Sequence, residues 1–295
     1  MQLSIRSLTK TYANGVKALQ GIDLDIQQGM FGLLGPNGAG KSSLMRTIAT
    51  LQEADSGSIL LDDIDVLKEK ERIRRMLGYL PQEFGVYPKI SAEQMLDHIA
   101  QLKGIHHHGE RKELVAALLH RVNLYSERKK NLGTFSGGMK QRFGIAQALV
   151  GNPRLIIVDE PTAGLDPAER NRFYNLLSET GENTIVILST HIVEDVRTLC
   201  QEFAIICKGR LLYRGQPDIA IESMAGTIYS KTIPKTAIEE YRNRYKVISV
   251  QLRGGQLSIR IYSELPPGDG FEPAAPVLED VYFTHIAAEM DLITI

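Results

Sequence analysis

The spacing of apolar positions changes character along this 295-residue chain. Alternation in Leu3-Ser4-Ile5-Arg6 and in Ile22-Asp23-Leu24-Asp25-Ile26 puts every second side chain on one face, which predicts strands of an antiparallel edge sheet. Phe31-Gly32-Leu33-Leu34 has no alternation and predicts a short buried strand. Ser43-Leu44-Met45-Arg46-Thr47-Ile48 predicts the first turns of a helix, and Ser58 to Asp63 a further strand closing on a turn. From about Ser91 to Leu149 the period becomes helical. Leu96, Ile99 and Ala100 mark one helix stopped at Lys103-Gly104, and Leu114, Ala117, Leu118 and Val122 mark another. Apolar runs then return at Leu155 to Val158, Thr184 to Leu188 and Phe203 to Cys207, with helical stretches between them. That rhythm predicts an α/β fold with a mostly parallel sheet covered on both faces.

Near Gly215-Gln216-Pro217 the composition shifts. Tyr245 to Leu252 and Leu257 to Tyr262 flank Arg253-Gly254-Gly255-Gln256, which predicts a hairpin. Leu265 to Gly270 reads as loop, and Leu278 to Met290 as an amphipathic helix with Leu278, Val281, Tyr282 and His285 on one face. The expected division is a domain over 1–217, with a helical subdomain over about 83–150, and a small α/β module over 218–295.

A 43% hydrophobic content is enough for a sizeable core, and a formal net charge of −1 offers no basic footprint for nucleic acid, so no nucleic-acid partner is expected. Cys200 and Cys207 lie in apolar surroundings and read as reduced core residues, as in a cytosolic protein. No stretch approaches the roughly 18 apolar residues a membrane span needs, and Met1 to Arg6 carries no signal-peptide pattern. The chain is expected to be soluble, so any spanning helices come from another subunit. His106-His107-His108 reads as a solvated loop.

Gly35-Pro36-Asn37-Gly38-Ala39-Gly40-Lys41-Ser42 has the form G-x-x-x-x-G-K-S between a buried strand and a helix opening at Ser43. Glycines there let backbone amides turn inward as an anion nest; Lys41 adds a charge for β- and γ-phosphates, and the Ser42 hydroxyl can ligate Mg²⁺. Leu155 to Val158 ends in Asp159-Glu160, delivering two carboxylates to the sheet's carboxyl edge. Asp159 is suited to hold Mg²⁺ and Glu160 to polarise an attacking water. Phe135-Ser136-Gly137-Gly138-Met139 opens a helix and forms a second anion site from a hydroxyl, side-chain-free backbone and a positive helix end.

Phe135 to Met139 resembles the LSGGQ signature of ATP-binding cassette (ABC) ATPases, members of the P-loop NTPase fold, with Phe for Leu and Met for Gln at its edges. The resemblance runs from Leu3 to about Gln216. It implies that Gln82, in Tyr79-Leu80-Pro81-Gln82, is the Q-loop glutamine that reaches Mg²⁺ and water. It likewise implies that Pro161 to Asp166 is the D-loop carrying Asp166, that His191 is the switch histidine at the γ-phosphate, and that Tyr12 stacks on adenine beside Val16. The implied cofactors are ATP and Mg²⁺. The implied assembly is a head-to-tail dimer in which Ser136, Gly137 and Gly138 of one subunit close over the ATP held by Lys41 of the other.

Phe84 to Pro88 falls where ABC transporters receive the coupling helix of a membrane partner, and Val277-Leu278-Glu279-Asp280-Val281-Tyr282-Phe283 resembles the L-E-D-V-F segment of drug-resistance exporter ATPases. The expected function is therefore the ATPase subunit of an ABC-2 exporter, held on the inner face of the membrane by separate permease subunits. The alternative is a non-transport ABC ATPase acting as a mechanochemical or regulatory switch on a macromolecular partner. A P-loop kinase or GTPase leaves Ser136-Gly137-Gly138 and His191 without a role.

Overall fold

The computed structural model describes residues 1–82, 85, 87–161 and 166–287. At its centre is a six-stranded sheet made of β3 (Gly29–Leu34), β6 (Leu77–Leu80), β7 (Leu155–Asp159), β8 (Ile185–Thr190), β9 (Glu202–Cys207) and β10 (Arg210–Gly215). The order is β10-β9-β3-β8-β7-β6, and every pairing is parallel except that of β10 with β9. The continuous apolar runs follow from burial on both faces. Met30, Ile156, Val158, Val186 and Leu188 enter one core, while their neighbours Phe31, Leu155, Ile157, Ile185 and Ile187 enter the other.

The expected antiparallel edge sheet is also present. Its strands are β1 (Gln2–Thr11), β2 (Lys17–Gln27), β4 (Ser56–Leu61) and β5 (Ile64–Asp65), in the order β2-β1-β4-β5. Leu3, Ile5, Leu24 and Ile26 share a core with Leu44, Met45 and Ile48 of helix α1 (Lys41–Ile48), so α1 is packed between the two sheets. Helix α2 (Lys70–Met76) leads into β6. Three helices, α3 (Ala92–Leu102), α4 (His108–Arg121) and α5 (Gly137–Leu149), build the helical lobe around Leu96, Leu119 and Phe143. Ser91 opens α3 with a reciprocal capping box to Gln94, which fixes where the lobe's first helix starts. Helices α6 (Pro167–Gly181) and α7 (Val193–Leu199) flank β8.

After residue 216 come α8 (Pro217–Glu222), α9 (Ile238–Arg244), α10 (Leu278–Ala287) and a sheet of β11 (Ile228–Ile233), β12 (Lys246–Arg253), β13 (Gln256–Tyr262) and β14 (Glu272–Pro273). The expected hairpin is β12-β13, turning through Gly254 and Gly255 at φ 55 and 85, values that favour glycine. One face of this sheet closes its own small core around Ile259 and Ile261. The other elements do not stand apart: Ala220, Met224, Ile248, Leu278 and Val281 join the large core that contains Val193, Val196 and Phe203. The face of α10 expected from the spacing is buried at Leu278, Val281 and Tyr282, and His285 packs on Tyr213 at a centroid distance of 4.8 Å. Residues 288–290 of the expected helix lie outside the described residues.

Asp280 is 1% exposed and would be an expensive buried charge without a partner. Arg260 supplies one in two-pronged form, Nε to Oδ1 at 2.8 Å and Nη2 to Oδ2 at 2.6 Å, and the Val277 amide donates to Oδ2 at 2.9 Å. Removing one member of a buried pair is costlier than the pair is worth. Arg260→Met should therefore lower unfolding stability by about 3 kcal/mol, read as an earlier urea midpoint. Arg260→Met combined with Asp280→Leu should recover much of that loss.

Candidate functional site

Strand β3 runs out at Leu34 into a loop in which Gly35 and Gly40 are required by close approach. A Cβ on Gly35 would sit 2.3 Å from the Ile206 carbonyl, and one on Gly40, at φ 108, 2.4 Å from the Ala18 carbonyl. The same Ala18 carbonyl would meet a Cβ on Gly209 at 2.7 Å. Gly209 also donates to the Ala39 carbonyl at 2.8 Å and accepts from the Gln20 amide at 2.8 Å. The Lys208-Gly209 turn between β9 and β10 is thus stitched to both the loop and β2. Gly40 is the N-cap of α1 and has no side chain to bond the first-turn amides, leaving that end of the helix open to an anion.

Tyr12, Val16, residues 37–43, Gln82 and Glu160 line a cleft of about 410 Å³. Tyr12 is anchored by its hydroxyl to Ser43 Oγ at 2.9 Å and to Gln52 Oε1 at 3.1 Å, with its ring partly exposed beside Val16. Gln52 in turn donates to the Ser43 carbonyl at 2.8 Å and to Thr47 Oγ1 at 2.9 Å, so the aromatic is tied to α1. Lys41 is 5% exposed; Nζ donates to the Gly35 carbonyl at 2.7 Å and the Pro36 carbonyl at 3.3 Å, and lies 3.7 Å from Glu160 Oε1. Burial pulls the ammonium below the usual lysine range, and the charges of Glu160 and Asp159 partly restore it.

Glu160 is the meeting point of the site. Its backbone is at φ 45, an uncommon value for a residue with a side chain, and its amide donates to the Ser189 carbonyl at 3.0 Å. That bend turns the carboxylate out of the sheet line toward Gln82 Nε2 at 3.0 Å and His191 Nδ1 at 3.3 Å. Asp159, the last residue of β7, is 4% exposed, and among the described residues its Oδ1 has no hydrogen-bond partner; nor has the Oγ of Ser189, its register partner on β8. A buried carboxylate oxygen left unpaired at the carboxyl edge of the sheet fits a hard cation, which takes oxygen ligands.

His191 is supported from behind. Thr190 Oγ1 accepts from the Ile192 amide at 2.9 Å and donates to Asp195 Oδ2 at 3.3 Å, and the Tyr174 hydroxyl bonds Asp195 Oδ1. The sequence reading singled out none of Gln52, Tyr174, Thr190 or Asp195. Asp195 was the detectable one, being a carboxylate between Val193 and Val196 on a buried helix face.

Ser136 is the N-cap of α5, accepting from the Met139 amide at 3.2 Å. Asp166 is the N-cap of α6, accepting from the Glu169 amide at 2.8 Å. Neither these two nor Gly137 and Gly138 line the Lys41 cleft. The expected D-loop residues Thr162 to Leu165, and Phe84 and Val86 of the expected partner groove, lie outside the described residues.

A family model described as ABC transporter matches residues 19–163. The linearmycin resistance ATP-binding protein LnrL of Bacillus subtilis (strain 168) is 36% identical over 235 residues, covering 78% of this chain and 75% of LnrL. The chain belongs to the ABC transporter family. The probable multidrug ABC transporter ATP-binding protein YbhF of Escherichia coli (strain K12) is 32% identical over 275 residues, 90% of this chain and 47% of YbhF, so the chain spans about half that relative's length. Among solved structures, one described as the ATP binding subunit of an ABC transporter is 28% identical with a TM-score of 0.69, covering 76% of this chain and 93% of its own. The dimeric post-hydrolysis cassette MJ0796, bound to ADP and Pi, is 26% identical with a TM-score of 0.67, covering 72% and 98%. The fold is therefore that of an ABC ATPase cassette.

A polyanion entering this cleft adds negative charge beside Lys41 and raises the pKa that burial has lowered. Affinity for ADP should accordingly weaken as pH rises through the depressed lysine value, with net proton uptake on binding. Calorimetry at alkaline pH in buffers of different ionisation enthalpy reads that uptake, and Lys41→Met should abolish it.

Proposed function

We propose that this chain binds and hydrolyses ATP as the engine of an ABC-2 type exporter, working as a head-to-tail dimer beneath separate permease subunits on the inner face of the membrane. The observation that carries this reading is the convergence of Lys41, Gln82 and His191 on the Glu160 carboxylate at the mouth of the phosphate loop. In this reading Gly35, Pro36, Asn37, Gly38, Ala39 and Gly40 wrap the phosphates, Lys41 meets the β- and γ-phosphates, and Tyr12 and Val16 take the adenine. Ser42, Gln82 and Asp159 would hold Mg²⁺, which supplies charge neutralisation between the phosphates. Glu160 orients and deprotonates the attacking water, and His191 steadies both Glu160 and the γ-phosphate.

Phosphoryl transfer demands positioning and charge stabilisation more than covalent chemistry. Ser136, Gly137 and Gly138 offer an anion site with no triphosphate cleft of their own, which suits a phosphate held by a second copy of the chain. The γ-phosphate then contacts both halves, and its loss removes the contact that favours closure. Asp166 at the start of α6 belongs to the same interface. A catalytic domain over 1–217 and an accessory module over 218–295 remain the proposed division, the module being firmly packed on α7. The names of YbhF and LnrL support export of drug-like molecules as the kind of cargo.

Two outcomes test the chemistry. Glu160→Gln should keep ATP binding while turnover falls about 10²-fold or more, within the range for losing a general base; an unchanged rate removes Glu160 from that role. Lys41→Ala should instead lose nucleotide affinity in a fluorescent-ATP titration. For the transport reading, the native chain should co-purify from detergent-solubilised membranes with a polytopic subunit; recovery only in the soluble fraction, without such a partner, argues for a switch acting elsewhere.

A further inference from the structure

The two glycines of the Ser-Gly-Gly segment do different work. A Cβ on Gly137 would meet nothing within 4 Å, whereas one on Gly138 would meet Glu169 Cδ at 3.2 Å and Oε2 at 3.4 Å. A side chain at Gly138 would thus crowd a carboxylate that lies against it from another helix. That carboxylate is largely buried and flanked by two guanidiniums: Oε2 lies 3.3 Å from Arg142 Nε, and Oε1 lies 3.5 Å from Arg172 Nη1. Arg142 Nε is not aligned for a hydrogen bond to Glu169, so the contact is an ion pair. Arg142 stands four residues, one helical turn, beyond Gly138, and its Nη1 donates to the Asn123 carbonyl at 3.0 Å and the Val122 carbonyl at 3.3 Å, where α4 ends. Glu169 itself lies in the first turn of α6, with its amide held by Asp166.

We propose that Glu169 is a positioning residue for the phosphate site that this chain presents to its partner. Its carboxylate props the Gly138 side of α5 and, through Arg142, locks the rotation of that helix against α4 and α6. Gly137 and Ser136 are thereby kept on the open side. The inference rests on the two-subunit reading of Ser136 to Gly138 given above. The charge balance matters as well as the shape. A carboxylate beside the first turn of a helix opposes the anion affinity of that helix end, and the two arginines offset it. Losing the ion pair therefore lets α5 turn without improving the site.

The test uses the full chain in a Glu160→Gln background, where ATP persists. Sedimentation across protein concentrations with saturating ATP gives the dimer dissociation constant, and a fluorescent-ATP titration gives affinity for the subunit's own phosphate loop. Adding Glu169→Gln should weaken the ATP-bound dimer at least tenfold with nucleotide affinity unchanged. In the otherwise native chain it should lower kcat and leave KM for ATP in place. The exchange of Glu169→Arg with Arg142→Glu should recover dimerisation. An equal dimer constant with and without Glu169→Gln overturns the proposal and leaves the two-subunit reading standing. Failure of Glu160→Gln itself to dimerise with ATP overturns both. Should Glu169→Gln fail to fold, Arg142→Gln probes the same contact from the other helix, and an unweakened dimer there is equally fatal.

Discussion

A lysine ammonium buried at the start of a helix has to be held by something, and how this chain holds Lys41 governs the rest of the site. Two carbonyls of its own loop accept from it, and the carboxylates at the end of β7 supply the opposing charge. This works only if β3 and β7 finish at the same height in the sheet. Pairing both with β8 in parallel register achieves that. The two apolar cores on either face of the sheet keep that register, because a slip of one residue would exchange the side chains of every strand between them.

Those features are also the ones most legible in the amino-acid sequence. A strand buried on both faces reads as an unbroken apolar run, so the point where polarity returns marks the functional edge, as at Asp159-Glu160 and at Thr190-His191. The glycine pattern of the loop could be read in the same way. What could not be read was anything held by a tertiary partner. Gln52 looks like an ordinary polar residue after α1 until its side-chain amide is found donating to the Ser43 carbonyl and to Thr47 Oγ1. Glu169 looks like a favourable acid in the first turn of α6, and only the folded chain brings it against Gly138.

The shift in composition near Gly215 says nothing of packing. The side chains of Ala220, Met224, Ile248 and Leu278 complete the core on which α7 rests. Helix α7 begins two residues after His191, and its Asp195 is bonded to Thr190 and Tyr174. The C-terminal elements therefore form part of the foundation beneath the segment that carries His191. Helix α10 meets α7 through packed side chains, Leu278 and Val281 sharing a core with Val193 and Val196.

The turn at Lys208-Gly209 carries a practical lesson. Short hairpin ends between edge strands are usually the first choice for attaching a label or grafting an epitope. In this molecule that end is wedged beneath the phosphate loop, sharing the Ala18 carbonyl with Gly40 and bonding Ala39 directly. An insertion there would push on the cradle itself. A Cβ on Gly254 or Gly255, at the end of the other hairpin, would meet nothing within 4 Å among the described residues, so foreign residues placed there would leave the phosphate loop undisturbed.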